Sequence, residues 1–190
     1  RASRTILAGI AVSAVLAALT SLVIFWSATG DSYREILSWL LGSLAGVDWP
    51  AAALALGAVI VIGLPLLLSA GSLDAFAFGD NAAATLGVSV ARTRWMLLGA
   101  TALLTGCLVA VSGSIGFVGL VVPHAVRLLV GSGHRSLLPL SLLAGALFLV
   151  WADTLSRVAF EPRELPVGIV TALVGGPLFA LLLLRARRIT

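Results

Sequence analysis

This sequence has little charge and few of the residues from which soluble active sites are built. Only 11% of its 190 residues are charged, and it holds one cysteine, one methionine, one tyrosine and two histidines. Lysine is absent, so every positive side chain is arginine. The hydrophobic fraction of 60% and mean hydropathy of +1.14 exclude a soluble globular class. The lone Cys107, inside an apolar run, excludes a disulfide framework and a cysteine metal cluster and reads as a core residue. No GxxxxGK[ST] loop occurs, so the chain cannot bind and split ATP through that motif. The short alternating segments of a β-barrel are missing as well.

What is present is a series of long apolar runs, mostly 18 residues or more, enough for a helix to cross about 30 Å of hydrocarbon. The fold class this predicts is all-α: a polytopic membrane bundle of about six crossings in one domain over 1–190. The opening RASRT has no methionine and no cleavable leader, and it reads as cut from a longer chain. The pI of about 11.0 could suggest nucleic acid, but the arginines lie at the ends of the runs, where topology explains them.

In chain order, Thr5 to Ser27 is the first span, with Gly9, Ser13 and Thr20 as small packing residues. Residues 30–49 are too short and too charged to cross, and fit an outer interfacial amphipathic helix. Asp31 caps it, Ile36, Leu37, Leu40 and Leu41 share a face, and Trp26, Tyr33, Trp39 and Trp49 sit at headgroup depth. Pro50 starts the next helix, and Ala51 to Ser69, with a tolerated Pro65, is the second span.

Asp74 to Arg94 is a polar, small-residue interruption far longer than a turn needs, and it organises the rest. It reads as a cytoplasmic surface helix or helix pair that takes up force from a partner; a plain solvated loop is the alternative. Trp95 to Val111 is the third span and begins somewhat before Trp95. Gly113 to Leu129 is a short, broken or tilted fourth. Leu137 to Leu155 is the fifth, FEPRELP an outer loop, and Val167 to Leu184 the sixth. This threading puts Arg1, Arg4, Arg92, Arg94, Arg127, Arg135, Arg185, Arg187 and Arg188 inside and Arg34, Arg157 and Arg163 outside, as the positive-inside rule requires.

No catalytic constellation emerges. His124, one turn from Arg127, is a structural residue near the interface or, alternatively, a proton relay or ligand. Asp153 and Arg157 share a helical face and can pair, structurally or functionally. Arg157, Glu161, Arg163 and Glu164 form a charged outer rim that docks a soluble protein or ligand, or is only solvated. Gly113, Gly116, Gly119, Gly175 and Gly176 permit close packing or line a cavity.

The motifs GFVGLVVPH, HRSLLP, AD-x-x-x-R and ELPVGIVTALVGGPxF, in that order, resemble the FecCD family, the permease subunits of cobalamin, haem and iron-siderophore ABC importers. The resemblance covers essentially the whole chain and implies the fifth to tenth of ten transmembrane helices. It implies that Phe78, Gly79, Asp80, Ala82, Ala83, Ala84, Leu86 and Gly87 form coupling helices that fit a groove on an ABC ATPase subunit. Alanines 82 to 84 supply helix propensity between two bounding glycines. Asp31 to Ser43 resembles the helix that lines and gates the path, which makes Tyr33, Trp39, Gly113, Gly116 and Gly119 gate or pathway candidates. Arg157 stands where the family pairs an arginine with an acidic residue of the substrate-binding protein. The implied partners are that protein, the ATPase, a second permease subunit and the bilayer, with no nucleic acid. No cofactor or metal is expected on this chain, since ATP and magnesium belong to the ATPase. The implied location is the bacterial inner membrane and the implied mechanism alternating access, with an iron-siderophore or similar chelate as cargo. A secondary transporter or channel without an ATPase is the alternative, and a structural subunit without a conduit a third.

Overall fold

The computed structural model describes residues 2–27, 30, 32–87, 89–159 and 164–186. Asp31, Glu161, Arg163 and the terminal Arg1, Arg187 and Arg188 lie outside them, so the proposed cap by Asp31 and half of the charged rim do too. The described residues are helical or irregular, without a strand. The chain divides into two units, Arg1–Ser38 and Trp39–Thr190.

The first unit holds α1 (Ala2–Ser27), apolar on every side, and most of α2 (Ser32–Leu41). The interfacial helix expected over 30–49 is therefore only ten residues long. It stops at Gly42, whose φ of +79° is left-handed backbone that glycine adopts without strain.

The second unit contains the rest of the bundle. Asp48 Oδ1 accepts a hydrogen bond from Ala51 N at 2.9 Å and caps α3 (Trp49–Ala58), with Pro50 in the first turn. A π-turn over Val59–Gly63 then leads into α4 (Leu64–Leu68). Pro65 explains the wider turn. Its ring would crowd the carbonyl four residues back and it has no N–H to give, so Leu64 N donates instead to Val59 O, five residues back. The crossing does not end in a loop after Ser69: α5 (Ala70–Ala77) follows at once, then α6 (Asp80–Thr85). The third span starts at Val90, before Trp95, as α7 (Val90–Ser112).

Gly113 to Leu129 is not one helix. Residues 113–117 are irregular, and α8 (Val118–Val130) has 13 residues, about 20 Å, too short to cross alone. Of the last helices, α9 (His134–Val158) starts and ends beyond the apolar core that marks it in sequence, whereas α10 (Val167–Ala186) starts at Val167 as expected and ends past Leu184.

Four helices are long and apolar enough to cross a membrane, and α8 and the apolar part of α10 are shorter. At most 17% of any of the four is buried within the chain, so most of their apolar surface faces outward. Such surface is unfavourable in water and matched in hydrocarbon, which makes the fold an all-α membrane helical bundle. The internal core is small: Val122, Val126 and Leu137 join α8 to α9, and Ala152, Val167 and Val170 join α9 to α10.

Candidate functional site

The candidate site has two parts, a helical hairpin built from α5 and α6 and a charged pair near the far end of α9. The hairpin turns at Phe78 and Gly79, where Phe78 N and Gly79 N donate to Ala75 O and Phe76 O. Gly79 has a φ of +96° and Gly87 one of +83°, so both glycines bounding the alanine-rich turn hold left-handed backbone. Between them α6 turns Ala83 inward, where it is 0% exposed. Phe78 and Leu86 stay 79% and 68% exposed. Gly79, Asp80, Ala84 and Gly87 are exposed beside them and Ala82 is half-buried.

Arg94 of α7 holds this hairpin in shape. Its Nη2 donates to Asp80 Oδ1 at 2.6 Å, and its guanidinium carbon lies 5.8 Å from the centre of the Phe76 ring. Both charged side chains are about half exposed, so the pair contributes at most about 1 kcal/mol. On the other side, Asp74 of α5 reaches α9. Its Oδ1 accepts from His134 N at 2.9 Å and lies 2.7 Å from His134 Nδ1. An ionised carboxylate only accepts, so Nδ1 carries the hydrogen of that bond. The backbone N–H, followed by the ring, lowers the Asp74 pKa below the usual carboxylate value. The resulting stabilisation is present above the ordinary aspartate range and lost as pH falls through the lowered pKa.

Beside the hairpin an open groove of about 600 Å³ lies among Leu67, Ala70, Ser72, Ala75, Leu86 and Arg135. Its wall is mixed, apolar from α4 and α5 and cationic from the first turn of α9.

At the far end of α9, Arg157 Nε donates to Asp153 Oδ2 at 2.8 Å, the pairing expected from their spacing. Ser156, between them in sequence and 1% exposed, bonds Asp153 O through its hydroxyl and accepts Leu165 N on its carbonyl. Arg157 is thus carried on a fixed last turn.

The gate candidates separate. Trp39 Nε1 donates to Ala110 O at 3.2 Å, and a Cβ on Gly113 would run into the Trp39 carbonyl. Gly116 and Gly119 have open space where a Cβ would stand, so close packing does not require them to be glycine. Close approach occurs instead at Gly42, Gly168 and Gly175. Gly168 N donates to Gly42 O, and Gly175 lies against Phe117, whose φ is +66°. Tyr33 lies in the first unit, exposed on α2, and His124 has no metal-ligand cluster around it among the described residues.

A family model described as the FecCD transport family matches residues 1–185. The chain belongs to the FecCD transport family. Among FecCD relatives, the Fe(3+) dicitrate transport system permease protein FecD of Escherichia coli strain K12 is 48% identical over 95% of this chain and 56% of its own length. The vitamin B12 import system permease protein BtuC of Vibrio cholerae is 45% identical over 96% of this chain and 55% of its own. A solved inward-facing metal-chelate type ABC transporter superposes with a TM-score of 0.86 at 36% identity, over 93% of this chain and 57% of its own. The chain spans about half the length of the curated FecCD relatives it matches.

Missed by reading along the FecCD chain were the Asp48 cap, the Asp74–His134 contact and the glycines 42 and 168. The Asp74–His134 contact and the Gly42–Gly168 approach each link segments at least 60 residues apart, and no local spacing signals them.

Proposed function

We propose that this chain is membrane-spanning permease sequence of an ATP-driven importer in the bacterial inner membrane, moving a large metal chelate toward the cytoplasm. The observation that carries the reading is the hairpin: a stiff helical turn, braced by Arg94, presenting Phe78 and Leu86 outward. Exposed apolar side chains on a rigid support are what a partner's groove requires. The partner is an ABC ATPase subunit that binds ATP and magnesium, so the permease itself is not an enzyme. Relatives named for vitamin B12 and for Fe(3+) dicitrate support a metal-bearing cargo, and an iron-siderophore is the form we favour.

The arginine-rich hairpin end faces the cytoplasm in this reading and the α9 end carrying Arg157 faces outward, where a substrate-binding protein docks. Nε of Arg157 is engaged by Asp153, and the guanidinium fork has further N–H donors for a carboxylate of that protein. A second permease subunit completes the path. Gly116 and Gly119 are assigned to its lining and Trp39 and Gly113 to the wall that holds it, and Tyr33 of the first unit is kept as a separate gate candidate.

The test is co-purification of the full-length permease with its ATPase, comparing wild type with Phe78→Asp and Leu86→Asp. Each variant should retain its melting temperature and lose retained ATPase roughly tenfold or more. Unchanged retention in both would make the hairpin an ordinary loop. For the outer end, Arg157→Ala should weaken binding of the cognate binding protein by roughly tenfold, measured by calorimetry at low and high salt. An unchanged affinity removes Arg157 from the docking surface.

A further inference from the structure

Asp74 and His134 are 60 residues apart, on different helices, and meet through one carboxylate oxygen that takes two hydrogen bonds. The position that begins α9 is Gly133, which has no side chain to cap it. The first-turn N–H of α9 is therefore satisfied from α5. The carboxylate also stands at the positive end of the α9 dipole, which strengthens the contact.

Higher in the same helix, Pro139 has no N–H to give to the Arg135 carbonyl, so the α9 ladder lacks one bond just above its first turn. That turn is held less by its own helix and more by Asp74. Around it the packing is firm. Leu137 is buried against Val122 and Val126, and α5, with Ala75 buried, packs along α9. The other brace of the hairpin, Arg94 to Asp80, is more exposed than this one.

α9 then runs 25 residues, about 37 Å, which exceeds the hydrocarbon thickness. Its last turns are fixed to α10 by Ala152, Val167 and the bond from Leu165 N to Ser156 O, and they carry Asp153 and Arg157. One continuous helix thus connects the hairpin to the opposite end of the bundle.

We propose that Asp74 and His134 are positioning residues: their contact is the joint through which displacement of the α5–α6 hairpin is passed to α9 and so to the Arg157 end. This rests on the importer reading above, in which the hairpin is what the ATPase moves. The joint does not hold the ATPase; it directs where the movement goes.

The experiment uses full-length permease with its ATPase in lipid nanodiscs. Native cysteines, Cys107 included, are replaced, and spin labels are placed at Trp49→Cys and Leu155→Cys, both exposed and far from the hairpin. Electron–electron distances are measured with and without a non-hydrolysable ATP analogue, in wild type, Asp74→Ala, His134→Ala and Asp74→Asn. The expected result is a nucleotide-dependent shift in wild type that is at least halved in Asp74→Ala and His134→Ala, with the ATPase still retained and the melting temperature lowered by no more than about 4 °C, the effect of one lost helix cap. Asp74→Asn, whose amide oxygen can accept the same two bonds, should restore the shift. A full shift in Asp74→Ala overturns the joint. Loss of assembly in that variant, or a fall in melting temperature well beyond that of one lost cap, also overturns it, since Asp74 would then be merely structural. An assembled wild type without a shift at these labels overturns the joint alone, whereas a wild type that never retains the ATPase overturns the importer reading beneath it.

Discussion

Gly113→Ala is expected to destabilise the full-length permease by about 2–5 kcal/mol, the sum of two separate penalties. The first is conformational. Gly113 has φ +70° and ψ −167°, a region essentially reserved for glycine. The second is steric, because a Cβ there would overlap the Trp39 carbonyl, which is backbone and cannot rotate away. The fold supplies its own controls. Gly131 ends α8 with nearly the same angles, φ +81° and ψ −166°, but faces open space, so Gly131→Ala should show only the first penalty, about 1–3 kcal/mol. Gly168→Ala has no left-handed backbone but would meet the Leu41 carbonyl, so it isolates the second. Thermal unfolding of the three variants in one detergent is the measurement. Equal losses at Gly113 and Gly131 would show that the approach of residues 39–42 to the 113–117 segment is not tight.

Ala83→Asp should disrupt the hairpin by about 3 kcal/mol or more, because it places a carboxylate without a designed partner at a fully buried site. The effect should be local, since α6 is short and the helices around it are long. Tryptic cleavage after Arg92 and Arg94 should rise by roughly a hundredfold or more, following the population of the opened hairpin. Global melting should move little. This variant also loses the ATPase, but through lost shape, which separates it from Phe78→Asp, where the surface changes and the hairpin stays protected. Cleavage as slow as in wild type would mean that Ala83 does not anchor α6.

The candidate site was legible where it depends on local chemistry. Gly79 and Gly87 around an alanine run read as a bounded helical turn, and both glycines hold positive φ. The four-residue spacing of Asp153 and Arg157 put them on one face, and they pair. Inward Ala83 and outward Phe78 and Leu86 were not separable along the chain, because a six-residue helix has too few turns for a periodic face to show. The short α8 was anticipated only as a tight fit, since GSIGF does not reveal by composition that it will be irregular.

The sequence by itself determined that this is a membrane protein, where its long apolar runs lie, where the polar hairpin interrupts them and which family the motifs resemble. Each of these follows from hydropathy, helix length and residues close in the chain, and needs no knowledge of what packs on what. Tertiary structure alone decided that Asp74 caps a helix starting 60 residues later, that Trp39 and Gly113 share one tight approach, and that Gly168 takes the Gly42 carbonyl. Those are pairwise distances between remote segments. In a bundle whose apolar surfaces are all alike to lipid, small residues and single polar contacts select which helices meet.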